Sequence, residues 1–195
     1  MLRFRWLPLV LGPILATFLS VAPAEGSVLE GLELEELVAE ADRIVLGRVL
    51  LSESFLRSDG QIWTWHRIGV EGAIRGTAPA EDEVIVETMG GQIGEIGMRV
   101  EGEATFQVGE RVLVFVHGGG AYKAFRTVGM GQGVMRIRQE NGVETVRQSR
   151  EGLMLVRRDA EGRLKRSFGA VPGPQRLDAF LSKVRKIAAQ QEAGR

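Results

Sequence analysis

Hydrophobic and polar residues alternate along most of this chain in runs short enough to be strands, and the period becomes helical at only two places. Leu34, Leu37, Val38 and Ala41 fall at i, i+3, i+4 and i+7, which predicts a short helix within residues 32–41. It feeds Arg43–Leu51, a strand rich in Val, Ile and Leu, and Ser58-Asp59-Gly60 then turns the chain. The run from Ile62 to Glu71 predicts a second strand, with Ile62, Thr64, His66, Ile68 and Val70 on one face and Trp63, Trp65, Arg67 and Glu71 on the other. After a break at Gly76-Thr77-Ala78-Pro79 comes a third strand at Val84–Glu87. Met89 to Met98 is glycine-rich and reads as a long loop or an irregular hairpin.

Phe106 to Glu110 is a turn that launches Arg111–Val116, whose unbroken apolar run predicts a central strand. Gly118-Gly119-Gly120 ends it, and a further strand is expected within Tyr122–Thr127. Two hairpins follow. One joins Val134–Arg138 to Val143–Gln148 through Glu140-Asn141-Gly142, and the other joins Leu153–Arg157 to Arg163–Ser167. Pro172-Gly173-Pro174 is a linker into a final helix with Leu177, Phe180, Leu181, Val184, Ile187 and Ala188 on one stripe. Short strands with glycine-rich turns place the chain in the mostly β class, as a barrel or sandwich with flanking helices.

Residues 1–24 read as a secretory leader: Arg3 and Arg5, an uncharged run from Trp6 to Val21 broken by Pro8 and Pro13, then Ala22-Pro23-Ala24 as a cleavage site before Glu25. The run is shorter than the ~20 residues a spanning helix needs. The expected product, residues 25–195, is exported to the periplasm or beyond, with no membrane segment after cleavage. Its expected organisation is a barrel domain over residues 25–171 and a C-terminal helix over 172–195.

Composition narrows the chemistry. The 195 residues include no cysteine and only two histidines, His66 and His117, which rules out disulfides, thiol catalysis and cysteine-ligated zinc. The exported part would carry 23 basic and 25 acidic residues, unevenly spread: 18 acidic against 6 basic in residues 25–110, and 7 against 17 in residues 111–195. Near-neutral overall charge makes a poor polyanion binder, so two halves that complement each other within one fold are the expectation.

Several segments invite a catalytic reading. Val112 to Gly120 resembles the strand and oxyanion loop of α/β-hydrolases, but no G-x-S-x-G and no histidine follow it. The glycines at 90, 91, 94 and 97 and at 129, 131 and 133 match no phosphate-binding motif. Glu81-Asp82-Glu83 lacks the spacing of a calcium loop. No catalytic residue, metal ligand or cofactor is assigned. The candidate binding residues are Gly90, Gly91, Gln92, Gly94 and Gly97, on a segment longer than a turn requires, and Trp63 and Trp65, which share a strand face and could stack against a ligand.

Glu36 to Val49, containing Ala41-Asp42 ahead of an apolar strand, and the long Ile62–Gly76 strand ending in Ile74-Arg75-Gly76 resemble the start of netrin-like domains, the group that includes tissue inhibitors of metalloproteinases. With Gly90-Gly91, the Phe106 to Glu110 turn and Val112–Val116, the chain also resembles uncharacterised exported bacterial proteins over roughly residues 30–137. The resemblance implies an OB-like β-barrel, extended here by hairpins. The metalloproteinase inhibitors chelate zinc through an N-terminal cysteine, which this chain lacks, so no functional residue carries over. The function expected is a non-enzymatic binding module whose partner is another exported protein, such as a protease, with no nucleic acid involved. A hydrolase using carboxylates and a glycan- or polyanion-binding protein are the alternatives.

Overall fold

The computed structural model describes residues 26–76, 82–119 and 124–194. The expected leader lies outside the described residues. In chain order the elements are β1 (Ser27–Glu30), α1 (Leu34–Glu40), β2 (Arg43–Leu56), β3 (Ile62–Arg75), β4 (Glu83–Met89), β5 (Gly91–Ile93), β6 (Ile96–Met98) and β7 (Arg111–Gly118). They continue with β8 (Ala124–Thr127), a 3-10 turn over Met130–Gly133, β9 (Val134–Glu140), β10 (Val143–Gln148), β11 (Leu153–Arg158), β12 (Leu164–Arg166), β13 (Gln175–Arg176) and α2 (Leu177–Ala193).

Five strands close on themselves in the order β2-β3-β4-β8-β7 and back to β2. Every pairing around the ring is antiparallel except β4 with β8. This is the OB-like barrel with flanking helices. β2 and β3 are fourteen residues each, and three register shifts let them bend around the barrel. Gly47 sits at one of these shifts, where an added Cβ would strike the carbonyl oxygen of Gly69.

β7 shows why its run is apolar throughout. Val112, Val114 and Val116 point into the barrel beside Val45, Ile68, Val84 and Val86. Leu113 and Phe115 point outward, beneath both helices. A strand buried on both faces has no polar alternation to show. The stripe expected on α2 is the one that buries, together with Leu34, Leu37 and Val38 of α1. A lone 17-residue helix is marginal in water, and each large apolar side chain it buries contributes ~1.5–3 kcal/mol, so docking stabilises α2.

Both expected C-terminal hairpins form. β9 extends the barrel by pairing with the first half of β7, while β8 pairs with the second half. β11 and β12 make a separate sheet with β1, which runs parallel to β11. β1 has no signal in the sequence pattern. It is held by Gln132, a fully buried amide that accepts from Leu32 N–H (2.9 Å) and donates to the Glu30 carbonyl (3.1 Å). The 129–133 glycines therefore serve packing: Gly131 N–H donates to the Gly102 carbonyl, and Gly133 lies against the backbone of Val128 and Phe115.

The charge asymmetry resolves inside the fold. Glu36 pairs with Arg157, Glu71 with Arg111 and Glu110 with Arg136, each joining the acidic half to the basic half. The Arg157 guanidinium, by hydrogen bonding, holds the Glu36 carboxyl below its usual range. Arg75, from the Ile74-Arg75-Gly76 segment, is nearly buried and donates to the carbonyls of Val38 and Ala41 in α1 and its C-cap and to that of Ala188 in α2. One guanidinium thus ties both helices to the end of β3.

Candidate functional site

The inward face of β3 carries Ile62, Thr64, His66 and Ile68, and β2 and β4 supply Ser52, Ser54 and Thr88 at neighbouring register positions. The barrel interior is therefore aliphatic at its centre and hydroxyl-bearing toward one mouth. There it opens into a cleft of about 330 Å³, walled by Gly90, Gly91 and residues 98–106.

Two hydrogen-bond chains line this mouth. In the first, Gln92 N–H donates to Ser54 Oγ (3.3 Å), the Ser54 and Thr64 hydroxyls are 2.9 Å apart, and Thr64 donates to the Gly90 carbonyl (2.6 Å). Because Thr64 gives its proton to a carbonyl, Ser54 must be the donor to Thr64, and the polarity of the chain is set. In the second, Ser52 Oγ lies 2.8 Å from His66 Nδ1, and His66 Nε2 lies 2.9 Å from Thr88 Oγ1. Only hydroxyls meet the ring, so either tautomer satisfies it: Ser52 donates when the proton is on Nε2 and accepts when it is on Nδ1. Half-buried Ser52 can thus present either polarity to a ligand in the cleft.

His66 is 4% exposed and packs against the Phe106 ring at 4.6 Å. Burial drives its pKa down to about 4, so the imidazole is neutral near neutral pH. Transfer of the Ser52 proton to it would place a cation against a hydroxyl and an aromatic ring, and no carboxylate among the described residues is hydrogen-bonded to the imidazole. Glu101, Glu103 and Glu151 stand around the cleft; Arg99 holds Glu101 at 2.6 Å, and Arg126 lies 3.8 Å from Glu103. No group of three or more metal-ligating side chains occurs among the described residues.

The expected binding residues divide between two surfaces. Met89 to Met98 forms the β5–β6 hairpin, and its base, Gly90 and Gly91, reaches the cleft. Both have φ values open to glycine, +106° and +139°, and a Cβ on Gly91 would fall on the Ser54 and Thr64 hydroxyl oxygens. Glycine there lets the backbone close over the hydroxyl chain. The side chain of Gln92 donates instead to the Gly94 carbonyl (3.0 Å), and Gly94 and Gly97 lie at the exposed tip.

Trp63 and Trp65 sit on the opposite, outward face of β3. Trp63 is 4% exposed under the guanidiniums of Arg57, 3.9 Å from the ring centroid, and Arg126, at 5.1 Å. Trp65 donates to Glu87 (2.9 Å) and packs on Phe55. The indoles belong to an aromatic–arginine cluster on the outward face of β3, in which Trp63 is covered and Trp65 stays half-exposed. Thr64 and His66 carried one signal in the sequence, alternation with Ile62 and Ile68, whereas Ser52, Ser54 and Thr88 lie past the expected ends of their strands, which run on to Leu56 and Met89.

Set against protein-family models, characterised proteins and solved structures, the chain matches none. The barrel and its hydroxyl-lined mouth are the basis for a functional reading.

Proposed function

We propose that this protein is an exported, non-enzymatic binding module, and that the barrel mouth receives a segment of another exported protein. The observation that carries the reading is the Ser52–His66–Thr88 chain, a buried and neutral set of hydrogen-bonding groups at the floor of an open cleft. A group that accepts or donates as the ligand requires suits the amides and hydroxyls of a polypeptide.

The test is retention of exported proteins on immobilised protein lacking residues 1–24, at low and high salt, with Ser52→Phe as the filled-mouth variant. One partner retained at both salts, and lost with S52F while W65A still retains it, is the expected outcome. Equal retention by S52F would refute the mouth as the binding site. A reproducible metal-independent hydrolytic activity removed by Ser52→Ala would replace recognition with catalysis.

A further inference from the structure

Arginines gather on the face of the β9–β10 hairpin turned away from the helices. Met135, Ile137 and Val146 face the helices, so Arg136, Arg138 and Arg147 face the other way. Arg136 and Arg147 are direct cross-strand partners, and like charges placed opposite destabilise a sheet. Glu110 offsets the first and Glu140, at 3.4 Å, the second. Two further guanidiniums have no such offset. Arg138 is exposed and its guanidinium has no hydrogen bond or ion pair among the described residues. Arg150 is held at the edge by the carbonyls of Phe168 (2.8 Å) and Pro172 (3.4 Å), with no carboxylate partner among the described residues. All four arginines line one cleft of about 410 Å³ together with the carboxylates of Glu140 and Glu151, and Glu151 also borders the barrel mouth.

We infer that this cleft is an oxyanion site, taking the tetrahedral phosphate or sulfate group of a free anion or of an anionic polysaccharide. Guanidiniums present donors in a planar fork that fits such oxygens, and Arg150 keeps N–H groups to spare after its two carbonyl bonds. Arg136 is already held by Glu110 and by the Thr105 carbonyl and hydroxyl, so Arg138 and Arg150 are the guanidiniums that would meet the anionic groups. Arg138 pairs with Thr145 and Arg150 lies beyond the Val134 end of the hairpin, so each offers its own guanidinium to an anionic group in the cleft. The site does not rest on the mouth or on any protein partner.

The experiment titrates inorganic sulfate and dextran sulfate into the protein, following backbone amide resonances and binding heats at about 50 and about 200 mM salt. The variants are Arg138→Glu, Arg138→Gln and, as an equal charge change elsewhere, Arg185→Glu on the exposed side of α2. Sulfate is expected to shift the amides of residues 136–150. R138E is expected to weaken dextran sulfate binding about tenfold or more, R138Q by less, and R185E by under about threefold; the salt slope falls by roughly 0.7–0.9 for each charge removed from the site. Dextran sulfate binding much tighter than sulfate per group assigns the site to a polymer, and equal affinity per group assigns it to a free anion. Equal weakening by R138E and R185E, or hairpin amides that do not move, would overturn the inference.

Discussion

Replacing His66 by Gln changes how stability depends on pH, and the size of that change follows from burial. The imidazole has its pKa lowered to about 4 in the folded protein, against about 6.5 for an exposed histidine. Between those values the unfolded chain binds a proton that the folded chain does not. Stability from the neutral ring is therefore complete above about pH 6.5 and is lost as pH falls toward 4. At ~1.4 kcal/mol per unit, the loss between about pH 7 and pH 5 comes to roughly 2 kcal/mol, a drop of about 4–8 °C in Tm for a chain of this size. The Glu36 carboxyl, held low by Arg157, loses its contribution only at more acid pH, so His66 governs this window. Urea unfolding midpoints at closely spaced pH values give the measurement. H66Q starts less stable at pH 7, having lost the ring's packing on Phe106, but its stability changes little down to pH 5 and the two curves converge. A gap between wild type and H66Q that stays constant from pH 7 to 5 would refute burial as the source of the shift. An imidazole that titrates near 6.5 by NMR would do the same.

Two further substitutions probe the frame around the mouth. Arg75→Ala leaves carbonyls of both helices without their shared donor and is expected to cost about 2–4 kcal/mol in urea unfolding. Arg75→Lys recovers less than half, because one ammonium cannot span α1 and α2 together; full recovery would show that charge alone matters. Gly91→Ala forces a Cβ onto the Ser54 and Thr64 hydroxyls at a φ of +139° and is expected to cost at least ~2 kcal/mol. Its amide exchange quickens at Gln92, which loses Ser54 as acceptor; unchanged exchange there would mean that the hydroxyl chain is not held by the glycine.

Local pattern alone determined much of this protein. Alternation marked β3, an unbroken apolar run marked β7, turn residues marked both C-terminal hairpins, and the helical stripe on α2 matched the buried residues one for one. These signals are legible because a strand or helix meeting a single core must repeat its apolar residues at its own period. Gly90 and Gly91 were also legible as unusual, since their spacing exceeds the need of a turn. The tertiary structure alone decided the rest. Thr64 and His66 could be placed on the face shared with Ile62 and Ile68, but their meaning depends on Ser52, Ser54 and Thr88 arriving from two other strands. Register between strands is a non-local property, so no local period announces a hydroxyl-lined mouth. The parallel partnership of β1 with β11 spans more than a hundred residues and is fastened by Gln132, whose role lies in two backbone groups it happens to reach. Trp63 and Trp65 make the same point in reverse: their shared face was evident, and only the fold showed that two arginines cover Trp63.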